Sequence, residues 1–326
     1  MNSLEHVHPG IDSRESVRAS AILAEARTFS LAGDLAMLTR PKITLMVLAT
    51  VATTIWLTAG NTFDSTNMMW LLVGTALVAA SSSIVNQILE RASDRLMPRT
   101  AQRPLAAGRM SMAAASTLAA VSLLSGLFMI VSAGGWYSAT AASLTWLLYV
   151  VLYTPLKRVS SINTAVGAIA GALPVAIGWL AADGPQRIAG GDSSGALAVA
   201  ALATVLYLWQ FPHFMAIAWL YRHQYASAGL RMLVVEDPSG IRAAGQSLSA
   251  AIAMVPASLI LAVPSESLRL FATAVIASAA YLAAAIRFAV RRDDASARTL
   301  LLTSLGVLLA LLLAAMLFGS PHPFLG

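Results

Sequence analysis

The sequence predicts an all-α, polytopic membrane protein, and three observations carry that expectation. Hydrophobic residues make up 58% of the 326 positions and charged residues 11%, against about 25% charged in typical soluble chains. Apolar runs of about 20 residues, the length that crosses a bilayer core, recur along most of the chain. The cations between those runs alternate from side to side, as Lys and Arg do when short inner loops retain them.

Taken in order, the apolar runs give nine spans, near 42–60, 68–90, 112–133, 136–154, 162–182, 197–220, 243–263, 268–290 and 298–318. Arg14, Arg18, Arg27, Arg40 and Lys42 precede or open the first span, and Arg91, Arg95, Arg99, Arg103 and Arg109 follow the second. Lys157 and Arg158 follow the fourth, Arg222, Arg231 and Arg242 the sixth, and Arg287, Arg291, Arg292 and Arg298 join the eighth to the ninth. With the N-terminus inside, every one of the 21 cations except Arg187 and Arg269 lies on the inner face. The Gly-rich segment 183–195 then reads as a flexible outer connector.

The expected organisation is a cytoplasmic tail over 1–37, a nine-helix transmembrane domain over 38–319 and a short outer tail over 320–326. The first 35 residues are polar and lack an apolar core, which argues against a cleaved signal peptide and makes the first span the insertion signal. The net charge of +6 and the pI near 10.1 follow from basic loops that face anionic lipid head groups. They are no evidence for nucleic acid. With no cysteine, disulfides, thiolate nucleophiles, Cys-ligated zinc and iron–sulfur clusters are excluded.

Chemistry concentrates where the second span ends. Asn86, Glu90 and Asp94 stand at i, i+4 and i+8, which stacks them about a turn apart on one helix face. Carboxylate and amide oxygens are what Mg²⁺ prefers, together with water and phosphate oxygens. Guanidinium forks such as those of Arg91, Arg95, Arg99 and Arg103 match phosphate geometry. Acids beside arginines at a membrane surface therefore suit a metal-bridged diphosphate. The plain alternative, in which Glu90 and Asp94 merely pair with neighbouring arginines at a helix end, does not explain why Asn86 shares their face deeper in an apolar helix. Gly167 and Gly171, four apart, permit close helix approach.

The stretch from Asn86 to Asp94 resembles the N-x-x-x-[DE]-x-x-x-D motif of the UbiA superfamily of intramembrane prenyltransferases. The continuation Met97-Pro-Arg-Thr-Ala-Gln-Arg-Pro-Leu105 is similar to its protohaem farnesyltransferase branch. Two further segments agree, Tyr153-Thr-Pro-Leu-Lys-Arg158 running on to Asn163, Gly167, Gly171, Pro174 and Trp179, and Trp209-Gln-Phe-Pro-His-Phe214 followed by Tyr225 to Gly229 and Met232 to Val235. The resemblance covers roughly 35–318. It implies a UbiA-type helical bundle that joins farnesyl, from farnesyl diphosphate, to a vinyl carbon of haem b.

On that resemblance Asn86, Glu90 and Asp94 hold Mg²⁺ and diphosphate, and Arg99, Arg103, Lys157 and Arg158 donate to the phosphates. Tyr153 adds a hydroxyl or a ring face, or else is an interfacial aromatic. His213, after Pro212, ligates the haem iron, orients the porphyrin or shuttles a proton, or else bonds a carbonyl that the proline frees. His223 is a second candidate for haem, whereas His6, His8 and His322 receive no role. Branch members typically carry Asp where this chain has Gln224, and Glu236 and Asp237 are the acids nearby, although Asp237-Pro-Ser-Gly240 reads first as a turn. The implied setting is a bacterial inner membrane, with haem A synthase or terminal oxidase assembly as the partner step. Other readings are a prenyltransferase acting on a quinone precursor or chlorin, and a transporter or assembly factor, whose acids would be spread through the bilayer depth instead of gathered at one face.

Overall fold

A computed structural model describes residues 30–319, and among them there are helices and no strands. Helix α1 (Leu31–Thr39) is followed by α2 (Pro41–Ala59), α3 (Ser65–Arg95) and α4 (Met112–Leu147), which runs on through one π-helical stretch, Leu148–Tyr153. Helices α5 (Asn163–Ala172) and α6 (Pro174–Ala181) together make one crossing, and α7 (Gly184–Ala189) and α8 (Ser194–Leu220) follow. Two short helices, α9 (Arg222–Ser227) and α10 (Leu233–Glu236), precede α11 (Ile241–Ala262), α12 (Leu268–Arg291) and α13 (Asp294–Phe318). Helix α1 was not anticipated: it crosses the boundary expected at 37/38. Helix α7 stands within the segment read as a flexible connector. His6, His8 and His322 lie outside the described residues.

Eight helical stretches among the described residues are long and apolar enough to cross a membrane, one fewer than the nine spans predicted. The difference is a single residue. The stretch Met112–Leu156 counts 45 residues, about twice the helix that a bilayer needs, and Gly135 inside it has φ 74° and ψ 176°. No L side chain adopts that pair readily, and glycine does so without steric cost. Contacts with α3 give the direction on either side. Gly126 meets Gly74 and Gly134 meets Leu71, whereas Trp146 donates from Nε1 to Ser81 Oγ, 3.1 Å away. The chain climbs α3 to Gly135 and then descends it, so the one helix comprises the third and fourth predicted spans.

Close approach of α3 and α4 depends on glycine. A Cβ added at Gly74 would stand 2.7 Å from the Gly126 carbonyl oxygen and 2.9 Å from Ile130 Cγ1. Gly74→Ala must push the helices apart, at about 1–3 kcal/mol, and is expected to lower the thermal midpoint by roughly 5 °C. Gly245→Ala, where nothing lies within 4 Å, is the control and should leave the midpoint in place. Equal midpoints for both variants would mean that the α3–α4 contact does not limit stability.

Interior packing is apolar, with Leu, Ile, Val, Ala and a few aromatics buried between helices. Hydroxyls inside the spans mostly bond their own helix, as Thr54 Oγ1 does to Thr50 O and Thr58 Oγ1 to Thr54 O, both at 2.8 Å. This satisfies them where water is absent. Charge is confined to the ends, and the inward-facing charges gather where α3, α4 and α8 reach the same cation-rich end.

Candidate active site

Helix α3 positions the first group. Asn86, Glu90 and Asp94 are all buried on one face of it. Buried carboxylates in such a segment require partners, because uncompensated charge there costs several kcal/mol. Each has one. Lys157, just past the end of α4, donates from Nζ to Glu90 Oε1 at 2.7 Å, and Arg103 donates from Nη1 to both Asp94 oxygens at 2.8 and 2.7 Å. Arg103 also stands 3.9 Å from Glu90 Oε2. Asn86 is gripped from both sides, with its Oδ1 accepting from Arg40 Nη2 at 2.9 Å and its Nδ2 donating to Thr154 Oγ1 at 3.1 Å.

Arg40 was placed by sequence only as an inner cation, and the structure brings it into this cluster. It links α1 to α2 in the left-handed region, at φ 50° and ψ 63°, a conformation that costs a non-glycine residue of order 1–3 kcal/mol. Proline at position 41 holds the residue before it away from the helical region, and Gln87 ties down the end of α1 by donating to Met37 O and Leu38 O, both at 3.0 Å. Arg109 adds a fork to Asp34 with a closest approach of 2.7 Å. The guanidinium of Arg40 is thereby aimed at Asn86 and at the Tyr149 hydroxyl, 3.4 Å away.

Three cations, Arg40, Arg103 and Lys157, thus surround two carboxylates. Burial and the positive charge of Arg40 both hold Arg103 below the usual arginine range, while Asp94 and Glu90 pull the other way. Burial also opposes the charge on Lys157, yet the adjacent Glu90 carboxylate leaves it raised. The excess of positive charge suits a polyanion. Aromatic rings wall the cluster: Lys157 Nζ lies 4.4 Å from the Tyr153 ring centre, and Tyr149 packs against Tyr153 at 5.2 Å. Gly167 on α5 leaves room for that ring, since a Cβ there would stand 2.7 Å from Tyr153 Cε2.

The loop after α3 divides its arginines by task. Arg91 Nε donates to Leu105 O at 3.0 Å and Arg95 Nε to Ala106 O at 2.9 Å, so these two fold the loop. Arg103 turns inward, and Arg99 is exposed, 4.4 Å over the Tyr221 ring and hydrogen-bonded to the Tyr225 hydroxyl at 3.1 Å. Arg158, by contrast, is exposed and donates to Leu89 O at 3.3 Å, away from the carboxylates. The loops are tied together: Arg231 N donates to Lys157 O at 2.8 Å, and Asn163 Nδ2 donates to Arg231 O at 3.1 Å.

The other sequence candidates fall elsewhere. His213 lies in α8, which continues as helix through Pro212. Its ring stacks on Trp209 at 4.6 Å, and its Nδ1 shares a hydrogen bond with Ser304 Oγ on α13 at 2.8 Å, so its partner is a hydroxyl and not a freed carbonyl. His223 is exposed. Gln224 Oε1 is buried without a hydrogen-bond partner. Asp237 forms the expected turn, accepting from Ser239 N at 3.2 Å and Arg242 N at 2.8 Å. The Ser239 hydroxyl and these N–H groups hold its carboxyl below the usual range. Glu236 is exposed. Among the described residues, no three His, Cys, Asp or Glu side chains converge as a metal cluster.

Residues 46–312 match the UbiA prenyltransferase family, and the chain belongs to that family. It is an integral membrane enzyme of prenyl transfer. Within the family its similarity is to farnesyltransferases that act on haem. The chain is 41% identical to protoheme IX farnesyltransferase of Rhodopirellula baltica over 87% of its own length and 99% of that protein. It is 35% identical to that of Solibacter usitatus over 88% and 99%. The human mitochondrial protoheme IX farnesyltransferase is 32% identical over 95% of this chain and 67% of that protein. Among solved structures, a digeranylgeranylglyceryl phosphate synthase shares the fold at a TM-score of 0.70 and 14% identity, covering 88% of this chain and 98% of that one. An Archaeoglobus fulgidus UbiA homologue bound to GPP and Mg²⁺ does so at 0.61 and 17%, covering 87% and 99%.

Proposed function

We propose that the protein transfers the farnesyl group of farnesyl diphosphate to a vinyl carbon of haem b. The allylic C–O bond breaks and diphosphate leaves with its electron pair. A C–C bond forms to the vinyl group, and water then supplies the hydroxyl of the resulting hydroxyethylfarnesyl side chain. Identity across nearly the whole length of bacterial protoheme IX farnesyltransferases carries the choice of substrates. The carboxylates beneath an excess of cations supply the means.

The residues at the end of α3 fit magnesium. Glu90 and Asp94 offer two carboxylates and Asn86 an amide oxygen, the hard donors that the ion takes alongside phosphate oxygens and water. Bound there, Mg²⁺ would act as a Lewis acid toward the departing diphosphate. Arg103 and Lys157 neutralise the leaving group from the protein side, and Arg40 adds a third charge. Arg99, held between the Tyr221 and Tyr225 rings, is an exposed donor for the phosphates. Arg158, turned to the Leu89 carbonyl outside the carboxylate cluster, is a further exposed cation for the phosphates. Tyr149 and Tyr153 keep water from the allylic cation. His213, with Trp209 stacked on it, and the exposed His223 are the imidazoles available to haem. Nothing acidic stands at Gln224, so its amide contacts phosphate or water and brings no second charge. The setting is a bacterial inner membrane, which the bacterial relatives support, and the cation distribution supports an inward N-terminus and an outward C-terminus.

Membranes carrying the protein, given haem b, farnesyl diphosphate and Mg²⁺, should yield the farnesylated haem, seen by its mass. Prenylation of 4-hydroxybenzoate in place of haem would move the protein to a quinone branch of the same family.

A further inference from the structure

We infer that the turn between α12 and α13 is a binding site for anionic phospholipid, independent of the prenyl-transfer site. Four arginines gather there. Arg287, Arg291 and Arg292 end α12 or follow it, Arg298 lies in the first turns of α13, and all four are exposed. The two acids in the turn are already engaged: Asp293 caps α13 by accepting from Ser296 N at 2.7 Å, and Asp294 pairs with Arg222 at 2.8 Å. Among the described residues no carboxylate stands within ion-pair distance of the four arginines, although Arg291 and Arg287 act on the Asp293 charge, and their one side-chain hydrogen bond runs from Arg292 Nη1 to Ala289 O at 3.0 Å.

What stands beside them identifies the partner. On α12, the exposed arc carries Leu268, Phe271, Val275, Ile276, Ile286 and Val290, and Arg287 and Arg291 stand at the edge of that arc near its C-terminal end. On α13, an exposed face begins at Arg298 and continues through Leu302, Leu305, Leu309 and Leu313. The two helices pack side by side in opposite directions, so both apolar faces reach the arginines at the same end. A molecule that satisfies both has a phosphate at one end and hydrocarbon along its length. A lipid with a phosphodiester and no compensating cation meets that description, and an acidic protein segment would leave the leucine face uncovered. Each arginine near an anionic surface favours it by about 1 kcal/mol, which corresponds to roughly a fivefold preference.

The full-length protein in nanodiscs of phosphatidylcholine and phosphatidylglycerol, extracted gently and weighed by native mass spectrometry, tests this. Retained lipid should be enriched in phosphatidylglycerol at least about fivefold over the bulk mixture. The enrichment should fall to the bulk ratio in R287Q/R291Q/R292Q/R298Q and survive in the corresponding four-lysine variant. If the fourfold glutamine variant does not fold, R287Q/R291Q and R292Q/R298Q should each lose part of the enrichment. Retention at the bulk ratio in the wild type, or undiminished enrichment in the glutamine variants, overturns the proposal. So does loss of a co-purifying membrane protein with lipid content unchanged. Farnesyl transfer to haem is read separately, so its failure would not bear on the lipid result.

Discussion

Glu90→Gln and Asp94→Asn should each lower farnesyl transfer at least about 100-fold, the scale of loss when one preorganised group that meets developing charge is removed. The two substitutions are nearly isosteric, and the amide keeps a hydrogen-bond acceptor for Lys157 or Arg103. Both variants should therefore still enter the membrane and elute at the wild-type volume, Glu90→Gln with a lowered thermal midpoint because Lys157 loses its one carboxylate partner. Raising Mg²⁺ should recover part of the turnover if the lost oxygen is a metal ligand. It should recover none if the carboxylate serves only to hold its cation. Wild-type turnover in either variant would remove the end of α3 from the chemistry while leaving the family assignment untouched.

Lys157→Met is expected to give the largest loss of stability. Removing one member of a buried pair leaves the other charge uncompensated, which costs about 3–5 kcal/mol; Arg103, 3.9 Å from Glu90, should keep the loss at the lower end. The double variant K157M/E90Q, having no charge left to strand, should recover most of that stability and none of the turnover. The cycle reads stability alone: turnover cannot return in it, because Glu90→Gln by itself already removes the carboxylate that the transfer needs. Since Glu90 leaves Lys157 raised above the ordinary lysine value, its contribution is present in full below that ordinary value. It is lost only as pH climbs through the raised one. The stability gap between wild type and K157M should therefore stay constant across neutral pH. A gap that closed on moving from mildly acidic to mildly alkaline buffer would show that the lysine is not held by its partner.

Sequence alone gave away the membrane class, the order of the helices and the cluster on α3, for one reason: each is written in local periodicity. A run of apolar residues fixes a span, and i, i+4, i+8 spacing fixes a face whatever packs against it. What remained hidden depends on distant contacts. Arg40 meets Asn86 across 46 positions and Tyr149 across 109, and nothing near Arg40 marks it apart from other inner cations. Arg91, Arg95 and Arg103 look alike in sequence. Helical phase and the path of the following loop send the first two to backbone carbonyls and the third to Asp94. His213 finds Ser304 91 residues away, and no local rule could have named that partner. Asp237 could be anticipated as a turn because Pro-Ser-Gly follows it directly.

Gly135 has a bearing on how the chain is made. The two crossings on either side of it share no polar connector, so there is almost nothing hydrophilic to be threaded through the insertion machinery between them. The pair can enter lipid as one hairpin, its backbone groups already satisfied within each arm. A bulky residue at that point would leave the ribosome's product with a rod too long for any bilayer, and the error would be one of biogenesis before it was one of catalysis.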